Sequence, residues 1–501
     1  MKTTLFENGW IYTSDRGFRH GSIFTRGEKI AAVLFDDEDP TNPGANKLDV
    51  VDLKDGYILP GFVDTHLHLT SIALKSARCD LSAAESADDV GSLLADWAEA
   101  HDTSHVMGVE WDETFWSDPT LPTRSMLDGI DSTRPVLARR ICGHVGVANT
   151  PMLAKLAEHS DLIDSDTGFL REHALWEAGR LCEPDLRVLH DGMEAAIRSL
   201  HKLGITAIHD IVEPAKFESY VAGFKNSQAP LRIDMLLHTH PDELPGFTEK
   251  VIDSDSEYLR VSGVKCFLDG SFGGRSAALN APYEGSGDET GMLLLSDEEL
   301  ASIVRASLAR ECSCAIHAIG DRAIDQALSA LRDVPGDAEN FRIEHCELIG
   351  PDQLNRLKDS PVFLAMQPNF VRKWGSRAGT YGQLLGEERA RYCNPWRSLA
   401  DAGVSFVFGS DGMPPGPLFG LSGATQHPVE EQRLGAEEAI TRYCVEPNWV
   451  GLHKRAAGVN DRDMLADMVV LSDDPLGGRF DDIAVQKTVV GGEVVYDAAT
   501  G

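Results

Sequence analysis

The two ends of the chain share a pattern of short apolar runs separated by turn residues. Near the start, three such runs between residues 9 and 34 predict a meander of short strands. Near the end, 466–471 predicts one strand, and 487–496 predicts a hairpin that turns at a Gly-Gly pair. Because neither end can bury both faces of a sheet alone, we expect 1–56 and 460–501 to pair into one small β-sandwich domain.

Between these ends the pattern changes to short apolar runs that alternate with helical patterns, which is typical of βα units and a parallel sheet. Eight of the runs qualify as strands, and eight parallel strands can close a barrel. The predicted strands are 57–64, 205–210, 231–237, 263–269, 314–318, 342–346, 362–366 and 405–409. We therefore predict an α/β protein in which 57–459 forms a (β/α)8 TIM barrel.

A long stretch separates the first two predicted barrel strands. It contains extra apolar runs at 105–110 and 135–141, more than a single crossover helix requires. We interpret about 71–190 as helices plus an inserted subdomain that lies over the mouth of the barrel.

The charge balance narrows the range of partners. Lys and Arg number 46 against 79 Asp and Glu, which gives a net charge of −33 spread along the whole sequence. So acidic a surface repels phosphate backbones and anionic lipid, so we expect neither nucleic acid nor membrane as a partner. Two explanations stay open: adaptation to a salty cytoplasm, where screening removes self-repulsion, and an ordinary acidic enzyme.

The compartment of the protein and the redox state of its cysteines are predicted from sequence features that are missing. It contains no run of eighteen apolar residues, and its first residues have no apolar core typical of a signal peptide, so we expect a cytoplasmic protein. The nine cysteines include no C-x-x-C pair and are expected to be reduced thiols.

Residues that can bind metal recur at the predicted strand ends. His66 and His68 follow the first strand at i and i+2, so their side chains project to the same side and could hold one metal ion. Further along, His317, His345 and Asp411 each end a predicted strand, and Lys265 lies inside another. Any one of these residues has an ordinary structural explanation, but their repetition at successive strand ends predicts a metal site at the mouth of the barrel.

These motifs together resemble the amidohydrolase superfamily. They are residues 59–68, 263–270, 317–321, 343–345 and 409–411. The chain is most similar to the YtcJ-like branch of the superfamily, which includes N-substituted formamide deformylases. The resemblance covers nearly the whole chain and indicates fold and metal chemistry more specifically than substrate.

The resemblance implies a role for each residue. His66 and His68 match the pair that binds the more buried metal, and Asp411 matches the aspartate that binds this metal and transfers protons. His317 and His345 match the histidines of a second metal site. The implied cofactor is one or two divalent ions, with Zn2+ expected and Fe or Mn as alternatives.

Lys265 occupies the position where many members carry a carboxylated lysine that bridges two metals. Burial would lower the pKa of its amine and so favour reaction with CO2. The alternative is an unmodified lysine paired with a nearby carboxylate, for example Asp269 or Asp411.

Several further residues are candidates for contact with substrate. His144 follows an apolar run in the insert, within a Gly-His that resembles one found at this place in the branch. We expect His144 to reach the substrate or its oxyanion; a surface role is the alternative. Arg275 in a Gly-rich loop, Trp111, Gln367 and Met413 are candidates for lining the pocket, although structural roles are favoured for the last three. Asp321 is expected to orient His317 or to cap a helix.

The function predicted from these observations is hydrolysis of a C–N bond, of the amide type, in a small molecule. Metal-bound hydroxide would attack, Asp411 would act as general base, and His345 and His144 would assist. A hydrolytic deaminase is the first alternative, although Gly320 stands where deaminases of the superfamily carry a glutamate. A non-catalytic metal-binding sensor or scaffold is the second, and a homodimer is expected only on general grounds.

Overall fold

The computed structural model describes residues 2–37, 48–156, 161–243, 258–332, 334–335, 340–450 and 454–500. Within them, three sheets account for the strands: an eight-stranded parallel sheet, a seven-stranded sheet and a six-stranded sheet. The predicted α/β class and (β/α)8 barrel are confirmed. No helix in these ranges is long and apolar enough to cross a membrane.

The parallel sheet is a nearly closed barrel in which successive strands are neighbours. Its strands are β5 (Phe62–Leu67), β12 (Ile205–Val212), β13 (Arg232–Leu237), β14 (Leu259–Phe267), β15 (Ser313–Ala318), β16 (Phe341–His345), β17 (Phe363–Met366) and β18 (Phe406–Phe408). The two end strands β18 and β5 meet at their carboxyl ends, where the Asp411 N–H donates to the His66 carbonyl oxygen over 2.7 Å. All eight strands overlap the predicted ones, and the short apolar runs correspond to strands buried on both faces.

One predicted strand has a different start. The run beginning at residue 57 belongs to a strand of the seven-stranded sheet that ends at Pro60, and the barrel strand starts only at Phe62. Gly61 separates the two, and its N–H donates to the Asp467 carbonyl oxygen. A Cβ on Gly61 would lie 2.2 Å from the Thr206 side chain, so only glycine fits where the chain passes from one sheet into the other.

The seven-stranded sheet is built from both ends of the chain. Its members are β1 (Thr3–Thr13), β2 (Gly17–Arg26), β3 (Lys29–Phe35), β4 (Asp49–Pro60), β19 (Met468–Leu471), β20 (Val485–Val490) and β21 (Glu493–Asp497). β4 joins the two groups, since it pairs parallel with β1 and antiparallel with β19. The Gly491-Gly492 turn has positive φ at both residues, as the predicted tight hairpin requires.

The predicted insert carries a sheet of its own between β5 and β12. Its strands are β6 (Cys79–Asp80), β7 (Val106–Trp111), β8 (Val136–Arg140), β9 (Val145–Ala148), β10 (Ile163–Asp164) and β11 (Phe169–Arg171). Alternate residues face two separate hydrophobic clusters; Val136 and Ala138 lie in one and Leu137 in the other. The sheet is therefore covered on both faces and forms a small core independent of the barrel.

Helices cover the barrel and the insert. Their bounds are Leu69–Ala73, Ala87–Ala100, Arg124–Ile130, Thr150–Leu153, Glu172–Leu181, Leu186–His201, Phe217–Asn226, Asp297–Ala309, Asp321–Ala330, Pro351–Lys358, Pro368–Trp374, Thr380–Ala390, Trp396–Asp401, Pro417–Thr425 and Ala436–Cys444. The helix after β17 contacts the insert, because Trp374 Nε1–H donates to Asp112 Oδ2 over 2.9 Å. The nine cysteines are free, as predicted.

Candidate metal centre

The strand β5 places two histidines at the carboxyl end of the barrel. His66 is the fifth residue of this buried strand, and His68 follows it directly before the helix Leu69–Ala73. Asp210, at the end of the next strand, accepts the first N–H of that helix over 2.8 Å. This contact fixes the start of the helix that directly follows His68.

His66 is oriented by a carboxylate that the sequence analysis did not single out. Its Nδ1–H donates to Glu344 Oε2, and both side chains are buried. Burial lowers the pKa of His66 to about 4, so the ring is neutral at pH 7 and presents Nε2 as a lone-pair donor. A histidine held in this way by a carboxylate is the usual arrangement of a metal ligand.

Glu344 keeps its charge because of Arg342, two residues earlier on β16. Arg342 Nε–H donates to Glu344 Oε1, and Arg342 Nη2–H donates to the Thr65 carbonyl oxygen over 2.6 Å. Burial would raise the pKa of Glu344, but the Arg342 guanidinium and His66 hold it well below its ordinary value. Glu344 therefore stays ionised where it accepts from His66.

Asp411 lies opposite the two histidines, on the loop after β18. Its Oδ1 is 3.2 Å from His68 Nε2 and 3.7 Å from His66 Nε2. Buried Asp64 holds this loop, since it accepts the Ser410 N–H over 2.9 Å and the Ser410 hydroxyl. Burial alone would raise the pKa of Asp411, but the neighbouring His66 and His68 lower it below its ordinary value, so a carboxylate faces the site.

His317 and His345 come from the adjacent strands β15 and β16. Their ring centroids lie 4.5 Å apart, and the His345 ring lies 4.7 Å from that of His66. Burial lowers the pKa of both imidazoles well below the ordinary value. His345 and Asp411 have positive φ (65° and 58°), an uncommon backbone conformation that side chains adopt at functional sites.

These residues fit a divalent metal. Donor atoms of His66, His345 and Asp411 lie within 4.8 Å of one another. The Nδ1 atoms of His317 and His345 are buried and have no hydrogen-bond partner in the described part of the chain. Neutral imidazoles and a carboxylate suit Zn2+, and a bound ion would satisfy nitrogens that are costly to bury alone.

Lys265 lies in the barrel interior on β14. Its Nζ is fully buried, 4.5 Å from the centroid of the Phe267 ring, and has no hydrogen-bond partner among the described residues. Asp269 does not pair with it, because this carboxylate accepts the backbone N–H groups of Ala278, Ile319 and Gly320. Burial lowers the pKa of the Lys265 amine to about 8.

The insert contributes His144, which lies beside His317 with ring centroids 5.3 Å apart. His144 Nδ1–H donates to the buried Glu172 over 2.8 Å. Burial alone would lower the pKa of His144, but the charge and hydrogen bond of Glu172 raise it to about 9. An imidazolium therefore faces the site at pH 7, and the insert does reach the mouth of the barrel.

The weaker candidates are scattered. Trp111 has no exposed surface and packs in the core of the insert, so the structure does not bring it to the metal site. Arg275 is 41% exposed, 3.6 Å from Glu289. Gln367 is buried at the end of β17, donates to the Ala365 carbonyl oxygen and leaves its Oε1 without a partner among the described residues. Met413 packs partly buried against the barrel core.

Asp321 does not orient His317, but its Oδ1 accepts the Arg322 N–H over 3.1 Å in the first turn of the helix that follows β15. It is the first residue of the helix Asp321–Ala330, which Gly320 precedes as the N-cap, and its Oδ1 accepts the Asn280 N–H over 2.9 Å. His317 Nε2–H instead donates to the Gly270 carbonyl oxygen over 3.1 Å.

Four supporting residues escaped the sequence analysis: Asp64, Glu172, Arg342 and Glu344. Three of them are charged residues inside apolar strands, and this signal was available, because a charge in a buried strand needs a partner. The identity of each partner was not available from the sequence. Glu344 and His66, for example, are 278 positions apart.

Fold and site together define a metal-dependent hydrolase built on a (β/α)8 barrel, with a divalent metal at the carboxyl ends of the strands. The amidohydrolase family model matches residues 49–496, and the chain belongs to this family. YtcJ of Bacillus subtilis (strain 168) is 26% identical, over 98% of this chain and 99% of its own length. The N-substituted formamide deformylase of Arthrobacter pascens is 24% identical, over 99% of both chains.

A solved structure gives the same result. An uncharacterised metal-dependent hydrolase from Pyrococcus furiosus is 26% identical and superimposes with a TM-score of 0.74, covering 95% of this chain and 100% of its own. The predicted resemblance to the YtcJ-like amidohydrolases is thus confirmed.

Proposed function

We propose that this protein hydrolyses a C–N bond, of the amide type, in a small molecule, with Zn2+ as the resident metal. The observation that carries the proposal is the convergence of His66, His345 and Asp411 around one point, with the unpartnered Nδ1 of His317 beside it. A divalent ion held there supplies an activated water at neutral pH and polarises a carbonyl oxygen.

Asp411 is the proposed general base. Its carboxylate is charged at pH 7, and its Oδ1 lies 3.2 Å from His68 Nε2 and 3.7 Å from His66 Nε2. It accepts the proton of the attacking water and passes it to the departing nitrogen, so that an amine leaves instead of an amide anion.

His144 is the proposed partner of the substrate carbonyl, and His345 would assist as a ligand of the metal that polarises this carbonyl. The imidazolium of His144 can donate a hydrogen bond to the oxygen on which negative charge develops, and Glu172 keeps it protonated. Partly exposed aromatic rings lie beside it: Trp176 and Phe267 have centroids 5.4 Å apart, and His238 lies 4.8 Å from Phe267. These rings suit a substrate with an apolar or aromatic substituent on nitrogen.

The deaminase alternative has less support. A Cβ on Gly320 would lie 2.0 Å from the Ala278 carbonyl oxygen, so no acidic side chain fits at the position where deaminases of the superfamily carry theirs. The name of the Arthrobacter pascens relative, a formamide deformylase, also supports amide hydrolysis. A non-catalytic scaffold would turn over no substrate, so measured turnover of any substrate excludes that alternative.

Metal content is the first measurement. We expect one or two equivalents of zinc by plasma mass spectrometry in protein purified without chelator, and loss of metal in His66→Ala. His190→Ala is the matched control, since His190 pairs with Asp191 on an outer helix and leaves the site intact. Wild-type protein that neither contains nor takes up zinc, iron or manganese would exclude the proposed chemistry.

The proposed cleavage of an amide C–N bond is tested by incubating the metal-loaded enzyme with a set of N-formyl and N-acyl amines that carry benzyl or alkyl substituents. We expect stoichiometric release of amine and carboxylate, lowered by about 10³ or more in Asp411→Asn. Release of ammonia from amino-heterocycles, with no amide cleavage, would favour the deaminase instead.

We propose further that Lys265 is carboxylated. Its buried amine has no hydrogen-bond partner among the described residues, and the lowered pKa increases the neutral form that attacks CO2 to form a carbamate and release a proton. Lys265→Ala is expected to lose metal and to regain part of its metal content and activity when propionate is supplied. Full activity in Lys265→Ala without a carboxylic acid would contradict this modification.

A further inference from the structure

A cavity of about 130 Å³ lies at the opposite end of the barrel from the metal site. It is bounded by Lys29 at the start of β3, Arg260 near the start of β14, and a segment that leads into the last strands of the chain: Lys454, Arg455 and Ala456, with Leu465. The segment is fixed there, since the Leu465 N–H donates to the Ala456 carbonyl oxygen over 2.7 Å. The cavity thus lies between the barrel and the sheet formed by the chain ends.

The lining of this cavity is basic in an otherwise acidic protein. Four of its six lining residues are cationic and none is acidic, although the whole chain carries −33. In the described part of the chain neither Lys29 nor Arg260 forms an ion pair. Surface cations on so acidic a chain would be expected to have carboxylate partners, so Lys29 and Arg260 place positive charge at this cavity that no carboxylate in the described part of the chain pairs with.

Arg455 supplies a buried donor. It is 5% exposed, and its Nη2–H pairs with Asp234 Oδ2 over 2.9 Å. Its Nε–H is buried and has no hydrogen-bond partner among the described residues. Burial lowers the pKa of this guanidinium. The positive charges of Arg232 and Arg260 lower it further, whereas the negative charge of Asp234 raises it. An unsatisfied guanidinium donor beside two unpaired cations is costly unless an anion binds it.

The neighbouring carboxylates are already used. Asp234 lies between Arg455 and His209, whose Nε2 is 3.7 Å away. Asp467 accepts from buried Arg232 over 2.6 Å, and Glu28 lies 3.3 Å from the same guanidinium. None of the three carboxylates lines the cavity.

We propose that this basic cavity is a binding site for a small phosphate-bearing anion, with Lys29, Arg260 and Arg455 as its ligands. Arginine and lysine together match a phosphate group, arginine through directed N–H donors and lysine as a point charge. The cavity has room for a phosphate group and little more, so the occupant is either inorganic phosphate or the head of a small phosphate monoester. The site is independent of the metal centre and of the reaction proposed there.

The test is calorimetric titration of the full-length, metal-loaded protein with inorganic phosphate at about 150 mM KCl, which screens non-specific attraction. We expect saturable binding at one site. Lys29→Gln and Arg260→Gln should each weaken it by about tenfold, because each removes one charge-assisted contact. Arg187→Gln is the matched control: Arg187 is 85% exposed on an outer helix and should leave the affinity unchanged.

A second arm separates this site from the metal centre, where phosphate could also bind. Binding must persist in His66→Ala, which removes a metal ligand and leaves the cavity intact. No saturable binding, binding that is unchanged in both cavity variants, or binding lost in His66→Ala would each overturn the proposal. Tighter binding of glycerol 3-phosphate than of inorganic phosphate would identify a monoester as the occupant, and weaker binding would identify the free ion.

Discussion

At the scale of single residues, the metal site depends on carboxylates that would not themselves touch a metal. Glu344 accepts from His66 Nδ1, Asp64 holds the loop that carries Asp411, and Glu172 keeps His144 protonated. All three side chains are buried, and each accepts a hydrogen bond from a residue of the site or of the loop that carries Asp411. Such groups set the tautomer and direction of a ligand, and their loss lowers metal affinity without removing a donor atom.

Glu344→Gln tests this role. The amide has nearly the same shape, but it removes the negative charge behind His66 and replaces one of the two oxygens that accept from His66 and Arg342 with an N–H donor. We expect zinc affinity to fall by about 10–100-fold, measured by competition with a chromophoric chelator. The control is Glu438→Gln, which removes the carboxylate from an Arg397 pair on an outer helix. Equal affinities in Glu344→Gln and wild type would show that His66 does not need this partner.

At the scale of elements, the barrel and the sheet from the chain ends are joined by side chains of single strands and helices. Arg232 on β13 has no exposed surface and pairs with Asp467, next to β19. The end of the helix Leu186–His201 is held from two directions: His201 Nε2–H donates to the Pro230 carbonyl oxygen, and Thr488 of β20 donates to the His201 carbonyl oxygen.

The buried His201 predicts a pH dependence of stability. Burial lowers its pKa to about 4, so the folded protein keeps this ring neutral while the unfolded chain protonates it near 6.5. Its contribution is therefore complete above pH 6.5 and is lost as the pH falls from 6.5 to 4, by on the order of 3 kcal/mol.

His201→Gln, which retains an N–H donor for Pro230, should flatten this dependence. We expect the difference in melting temperature between pH 7.5 and pH 4.5 to be smaller in His201→Gln than in wild type. His190→Gln is the control on the same helix, because the His190 side chain is 35% exposed and pairs with Asp191. Parallel melting curves against pH for wild type and His201→Gln would contradict the assignment.

At the scale of the whole molecule, the net charge of −33 opposes folding through self-repulsion. We expect the melting temperature to rise between about 10 mM and 1 M KCl, because screening at high salt shortens the range of repulsion to a few ångströms. Sucrose of matched osmolality controls for solute exclusion. A melting temperature that stays flat would show that the acidic surface costs no stability and would remove the argument for a salty environment.

The sequence by itself determined the local features. Apolar runs of strand length predicted all eight barrel strands, because strands buried on both faces need continuous apolar side chains. Since the carboxyl ends of parallel strands share one rim, His66, His317, His345 and Asp411 were expected to converge, and the structure brings them together. The start of β5 was misplaced because residues 57–63 form one mainly apolar run that only the packing around Gly61 divides.

The tertiary structure alone decided the rest. Contacts between distant positions pair Glu344 with His66 and bring His144 of the insert next to His317. They also bury Trp111 in the core of the insert, away from the site. The basic cavity joins residues from the start, middle and end of the chain. The pattern of apolar residues along a segment shows which face of a helix or strand is buried, but not which other element covers that face. The pairings in the site and the lining of the cavity depend on that covering element, so only the tertiary structure could decide them.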